Sequence, residues 1–327
     1  MSSWVLHRLH GSDAPAPPYL AARDTTTSAD VVNDGDLQLA LYVCYELHYL
    51  GWPGAADLEW DTTLLSARAG LERRFEAGLR ADIPFVPEAA TGDPADLVTA
   101  IGDAIGGRSV ADHVRDRATL DHVRELIVHR SPYQLKEADP HTWAIPRLRG
   151  AAKRHLVEIQ MGEYGAEDET HVAHAELYAS TMALLGLDPT PHAYLDVIPG
   201  SSLAISNLVS MLGLHRRHRA ALLGHLAYFE MTSVSAMRRY VAGLERLGVP
   251  PAARRFHEVH VLADGEHERI SADMLRAVVA DEPALARDVA FGIGAAALVE
   301  RCVADRLLSR WDEGRSSLDW PLQPVTP

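Results

Sequence analysis

From residue 216 to residue 311 the sequence offers a helix almost everywhere and a strand nowhere. Apolar residues recur at three- and four-residue intervals over about 216–247, 251–275 and 282–311. The first break, Leu247-Gly248-Val249-Pro250-Pro251, supplies a glycine stop with prolines just beyond it. The spacing predicts further helices over about 37–50, 62–79, 95–105, 109–130, 144–163, 168–186 and 202–213. Ser131-Pro132 reads as an N-cap followed by proline at N1, restarting a helix that carries Glu137. No run of alternating β-branched residues with hairpin chemistry occurs, so an all-α chain is expected. Residues 1–34, with their Pro-Ala repeats and Thr25-Thr26-Thr27, read as a mostly irregular arm.

The chain is long and apolar enough to bury a core, with 327 residues of which 47% are hydrophobic and 23% charged. Its formal net charge of −14 argues against sequence-independent nucleic-acid binding, which depends on Lys and Arg neutralising phosphates. Cys44 and Cys302 stand far apart and form no disulfide framework, which fits a reducing cytoplasm. No apolar stretch has the length to span a bilayer and the N-terminus lacks the apolar region of a signal peptide, so no membrane partner and a cytoplasmic location are expected.

Long amphipathic helices keep charge outward, so polar groups centred on an apolar face stand out. In LAYFEMTSVSAMRRY, Glu230 shares its face with Leu226, Ala227, Val234 and Met237 and is expected to project into the core. A carboxylate there is costly unless a cation compensates it. In HVLADGEH, His260, Asp264 and His267 lie at i, i+4 and i+7, one face of a helix over two turns. Glu163 and His174 are 11 residues apart, about 16 Å on a continuous helix, too far to share one ion. Either Gly165 and the acidic run after it break or bulge the helix and shorten the gap, or the two residues serve different ions; His171 competes with His174, and Glu158 with Glu163. Carboxylates and imidazoles without thiolates suit iron or manganese better than structural zinc, and this set is large enough for two ions with open positions. No Glu-x-x-His occurs, which argues against a ferritin-like site. Two rival readings remain: a non-catalytic α-helical binding protein with a hydrogen-bonded polar core, and heme binding, which needs an axial histidine and an open apolar slot.

Together these residues resemble the heme-oxygenase-like diiron oxidases and oxygenases, often described as iron-containing redox enzymes. In that family the first core helix supplies a Glu and then a His, the second a Glu, and the third His-x-x-x-Asp-x-x-His. Here EYGAEDETHVAHAELY gives Glu163 and His174, YFEMTS gives Glu230, and HVLADGEH gives His260, Asp264 and His267. The resemblance covers about 130–300 and implies a heme-oxygenase-like helical bundle over 126–327. Residues 1–125 then form an N-terminal helical extension that packs on the core or on a second subunit, hence a homodimer. It also implies two iron ions, O2 as co-substrate, a small-molecule substrate and room for an external electron donor. By that analogy Glu163, His174 and His267 hold one iron, His260 and Asp264 the other, and Glu230 bridges. Some members recruit a further carboxylate upstream, and LKEADPHTW places Glu137 there as a metal ligand, catalytic together with Glu230. Members with that carboxylate oxidise nitrogen, so the resemblance points to N-oxygenation of an amine or amino-acid-derived substrate in natural-product biosynthesis. Desaturation and C–C cleavage on the same scaffold are the alternatives. Glu46 and His48, two residues apart, cannot share a helix face and read as structural.

Overall fold

Amphipathic helices must bury their apolar faces, and in this chain they do so against one another. The computed structural model describes residues 1–11, 27–84, 93, 95–166 and 172–322, without the side chains of 262–265. Among the described residues there are fourteen α-helices and no strand. They are α1 (Ser2–Leu9), α2 (Ser28–Asn33), α3 (Gly35–Glu46), α4 (Thr62–Asp82), α5 (Asp96–Ile105), α6 (Val110–Asp116), α7 (Leu120–Gln134), α8 (Asp139–Thr142), α9 (Gly150–Glu163), α10 (His174–Leu184), α11 (Gly200–Leu214), α12 (Arg219–Arg246), α13 (Pro251–Asp281) and α14 (Ala286–Asp312). None of them is long and apolar enough to cross a membrane.

The centre is α12, packed along both α13 and α14. Its approach to α14 is set by two glycines. A Cβ on Gly292 would run into the carbonyl oxygen of Ala221, and one on Gly224 into that of Val289, so the two backbones meet with no side chain between them. Helices α9 and α10 pack on α13, and α11 reaches α3, α7 and α14. The N-terminal helices lie on this same core: α3 on α11, α6 on α12, α5 on α14.

Three expectations about the chain's course are corrected. The N-terminal arm, expected to be mostly irregular, is helical over residues 2–9 and 28–33, while residues 12–26 lie outside the described residues. Its periodic pattern is too short to read, and docking supplies what the pattern lacks. The Met1 ammonium donates to Asp36 Oδ2 at 2.6 Å, the Ser2 amide donates to Oδ1 at 2.8 Å, and Trp4 and Val5 are buried. The Thr27 hydroxyl caps α2 by accepting from the Asp30 amide. The second correction concerns Ser131-Pro132, which starts no helix: α7 runs through it. Pro132 cannot donate to the carbonyl four residues back, that of Val128, and the Ser131 hydroxyl donates to that carbonyl instead, at 2.9 Å. The expected helix over 109–130 is broken at 117–119, where the Thr119 hydroxyl caps α7 by accepting from the His122 amide.

Candidate metal centre

The break foreseen at Gly165 brings the first two site residues together. Glu163 is the last residue of α9, Gly165 follows with φ +65°, and His174 opens α10. The reversal replaces a separation of three helical turns by a contact of 2.9 Å between His174 Nδ1 and Glu163 Oε2. Both side chains are buried. Glu158, the competitor for Glu163, is half exposed on the outer face beside His155. His171, the competitor for His174, lies outside the described residues.

The second and third core helices bring their residues to the same place. Glu230 sits midway along α12 and is buried, as its apolar neighbours predict. His260 and His267, two turns apart on α13, are buried as well, while the Asp264 side chain lies outside the described residues. His267 Nδ1 stands 3.3 Å from Glu230 Oε2 and 3.8 Å from Glu163 Oε1. The rings of His174 and His260 have centroids 4.3 Å apart. His260 Nδ1 bonds the Phe256 carbonyl at 2.7 Å, which requires the proton on Nδ1 and leaves the Nε2 lone pair facing the cluster.

Glu137 joins this cluster from an unexpected backbone. It lies in the turn between α7 and α8, where the next residue, Ala138, takes a left-handed φ of 76°. That strained residue is almost fully buried, and its carbonyl accepts from Gln160 Nε2 of α9 at 2.8 Å. With its amide turned to donate, Gln134 reaches Glu137 Oε1 at 2.7 Å. Glu137 Oε1 is then 3.9 Å from His260 Nε2.

The donor atoms fall into two groups, each with all atoms within 4.8 Å of one another: Glu137, Glu163, His174 and His260, and Glu163, Glu230 and His267. Glu163 is common to both. This grouping differs from the expected partition, which put His174 with His267 and let Glu230 bridge. Electrostatics follow the crowding. Burial pushes the Glu163 carboxyl up, but His174, then His260 and His267, outweigh it and bring it well below the usual carboxylate range. Burial and the neighbouring Glu163 charge raise Glu230, whereas burial and His174 push His260 down to about 4. Three carboxylates and three imidazoles whose donor atoms converge are chemically matched to hard or borderline divalent ions such as iron.

A cavity of about 70 Å³ opens on the cluster, lined also by Tyr133, His141, Leu226, Phe229 and Met237. His141 was not foreseen. It is buried and pairs with His225 across 3.2 Å, a contact between residues 84 apart that no local pattern announces. Glu46 is occupied elsewhere, in a buried ion pair with Lys136, and His48 lies between Glu59 and Arg68, as their structural reading expects. No curated protein matches the sequence. The family model described as iron-containing redox enzyme matches residues 124–301, more than half the chain and the whole of the donor cluster. The all-α, heme-oxygenase-like bundle and its buried carboxylate and imidazole donors thus stand within a recognised lineage: the chain belongs to the iron-containing redox enzyme family.

Proposed function

We propose that the chain is a non-heme diiron oxygenase acting on a nitrogen of a small molecule, an amine or amino-acid derivative. The observation that carries this is Glu163, one carboxylate placed in both donor groups. Glu137, Glu163, His174 and His260 would hold one iron, and Glu163, Glu230 and His267 the other. Asp264, on the same helical face as His260 and His267, would complete the set. When bound, the iron pair supplies reductive activation of O2, with electrons from an external donor.

The protein's own contribution is placement and exclusion of water. Leu226, Phe229 and Met237 form the apolar part of the wall over the cluster. The His260 Nδ1–H bond to the Phe256 carbonyl fixes the ring so that Nε2 faces inward. The Gln134 amide and the Ala138 turn hold Glu137, the least buried of the carboxylates, where it can bind or withdraw. A further carboxylate at this place is what the family resemblance associates with oxygen transfer to nitrogen.

Loading the purified chain with Fe(II) without oxygen, then removing free iron and measuring metal, tests the reading. About two irons per chain are expected, with no Soret band. A wild-type chain that holds iron no better than background overturns the reading.

A further inference from the structure

The metal cavity, about 70 Å³, has no room for a substrate of ordinary size. It shares Arg130, Gln134, Phe229, Ser233 and Met237 with a neighbouring cavity of about 620 Å³, within the size range of small-molecule sites. One part of that larger wall comes from the family-matched core, including Tyr178, Tyr228, Tyr240 and Phe256. Another part comes from residues between 98 and 111, on α5, α6 and the turn joining them, outside the family match.

The wall reverses the charge of the molecule. The chain carries a formal net charge of −14, yet four arginines and only two carboxylates, Asp103 and Glu300, line the cavity. Three of the arginines are already paired. Arg130 grips Glu300 through two contacts of 2.5 Å, Arg108 meets Asp312, and Arg239 meets Asp112. Arg301 differs: its guanidinium donates to the Ile105 carbonyl at 3.3 Å and makes no ion pair among the described residues. The lining also includes His257, 6% exposed, whose Nδ1 has no hydrogen-bond partner among the described residues.

We propose that this cavity is the substrate site, and that it takes a carboxylate-bearing molecule with an apolar, aromatic body. The proposal rests on the diiron reading above. The body lies among the tyrosines, where ring faces and edges offer stacking. The anionic end meets Arg301, the one lining arginine that forms no ion pair among the described residues, Asp82 acting on it only from a distance. The reacting end passes Arg130 and Gln134 toward the metal centre. The extension is thereby a specificity element, since α5 and the turn after it close the cavity that the family core leaves open.

Gly102 of α5 gives a clean test. A Cβ there would meet only Tyr228 Cε2 at 4.0 Å, an ordinary contact at a backbone angle any residue adopts, so a leucine grows into the cavity without strain. The probe is 8-anilinonaphthalene-1-sulfonate, an aromatic anion whose fluorescence reports an apolar site. It is titrated into the full chain and competed with 4-phenylbutyrate and 4-phenylbutylamine. The carboxylate should displace it at roughly tenfold lower concentration than the amine, and Arg301→Gln should narrow that gap to about threefold or less. Gly102→Leu should weaken the probe by about tenfold or more with circular dichroism and iron loading unchanged. Equal displacement by the two competitors, undiminished binding in Gly102→Leu, or no saturable binding at all overturns the assignment. The two readings fail separately. A chain without iron that still prefers the carboxylate sinks the diiron reading and keeps the anion site; normal iron loading with charge-blind displacement does the reverse.

Discussion

A single carboxylate, Glu163, belongs to both donor groups. If Glu163 serves both ions, Glu163→Gln should bring iron content to near background, whereas His267→Ala, which touches one group, should leave about one iron per chain. Metal analysis after anaerobic loading separates these outcomes, and equal losses in the two variants would return the bridging role to another residue. His260→Ala should likewise lower iron content, with helicity by circular dichroism unchanged, because among the described residues the ring's hydrogen bond is to its own helix. Much of this was legible in the residues themselves. Glu230 announces its burial through Leu226, Ala227 and Met237, and His260 and His267 announce a shared face through their spacing. Which donors stand together is different, because it depends on how α9 and α10 fold back beyond Gly165. A distance across that reversal is not encoded in any helical period.

At the scale of the element, α7 shows where punctuation misleads. Ser-Pro is a common opening for a helix, and here the same pair repairs one: the serine hydroxyl takes over the carbonyl that proline abandons. Ser131→Ala should therefore destabilise the chain by about 1–2 kcal/mol, the cost of a buried carbonyl left without a donor, and should lower the urea midpoint without changing its slope. A midpoint equal to wild type would show that the Val128 carbonyl finds another partner. The same displacement explains why Glu137 stands in a turn rather than on a helix. The sequence signals that α7 must end near here, but the left-handed Ala138 is held by Gln160, 22 residues further on, and only the packed structure shows it. The long helices α12, α13 and α14 were readable because each repeats its apolar period many times. α1 and α2 were not, since one or two turns repeat nothing.

For the molecule as a whole, buried histidines set the response to acid. His129 lies between the hydroxyls of Ser202 and Ser317, and burial, then the charges of Arg306 and Arg130, hold its imidazole down to about 3. Burial lowers His225 in the same direction. In the unfolded chain such a ring takes a proton near pH 6.5, so between there and about 3 the unfolded state binds more protons and stability falls as pH falls. For His129 the loss reaches about 2 kcal/mol by about pH 5. Urea unfolding of the metal-free protein at neutral and mildly acid pH measures it. His129→Gln, which cannot charge, should shrink the pH-dependent loss by about that amount, and an unchanged difference would place the acid sensitivity elsewhere.

The paired glycines at the crossing of α12 and α14 have a consequence for what mutation can do to this protein. Most core positions accept a neighbour of similar volume, because side chains around them can rearrange. At Gly224 and Gly292 the opposing atoms are main-chain carbonyls, which cannot turn aside without dragging a whole helix. Gly292→Ala should cost about 1–3 kcal/mol or more and lower the melting temperature, although alanine is the better helix former. In a library that samples every substitution along the chain, these two sites should admit almost nothing. Gly102, where an added Cβ meets only the Tyr228 ring at 4.0 Å, should accept many residues and reveal itself only through which compounds the protein still recognises.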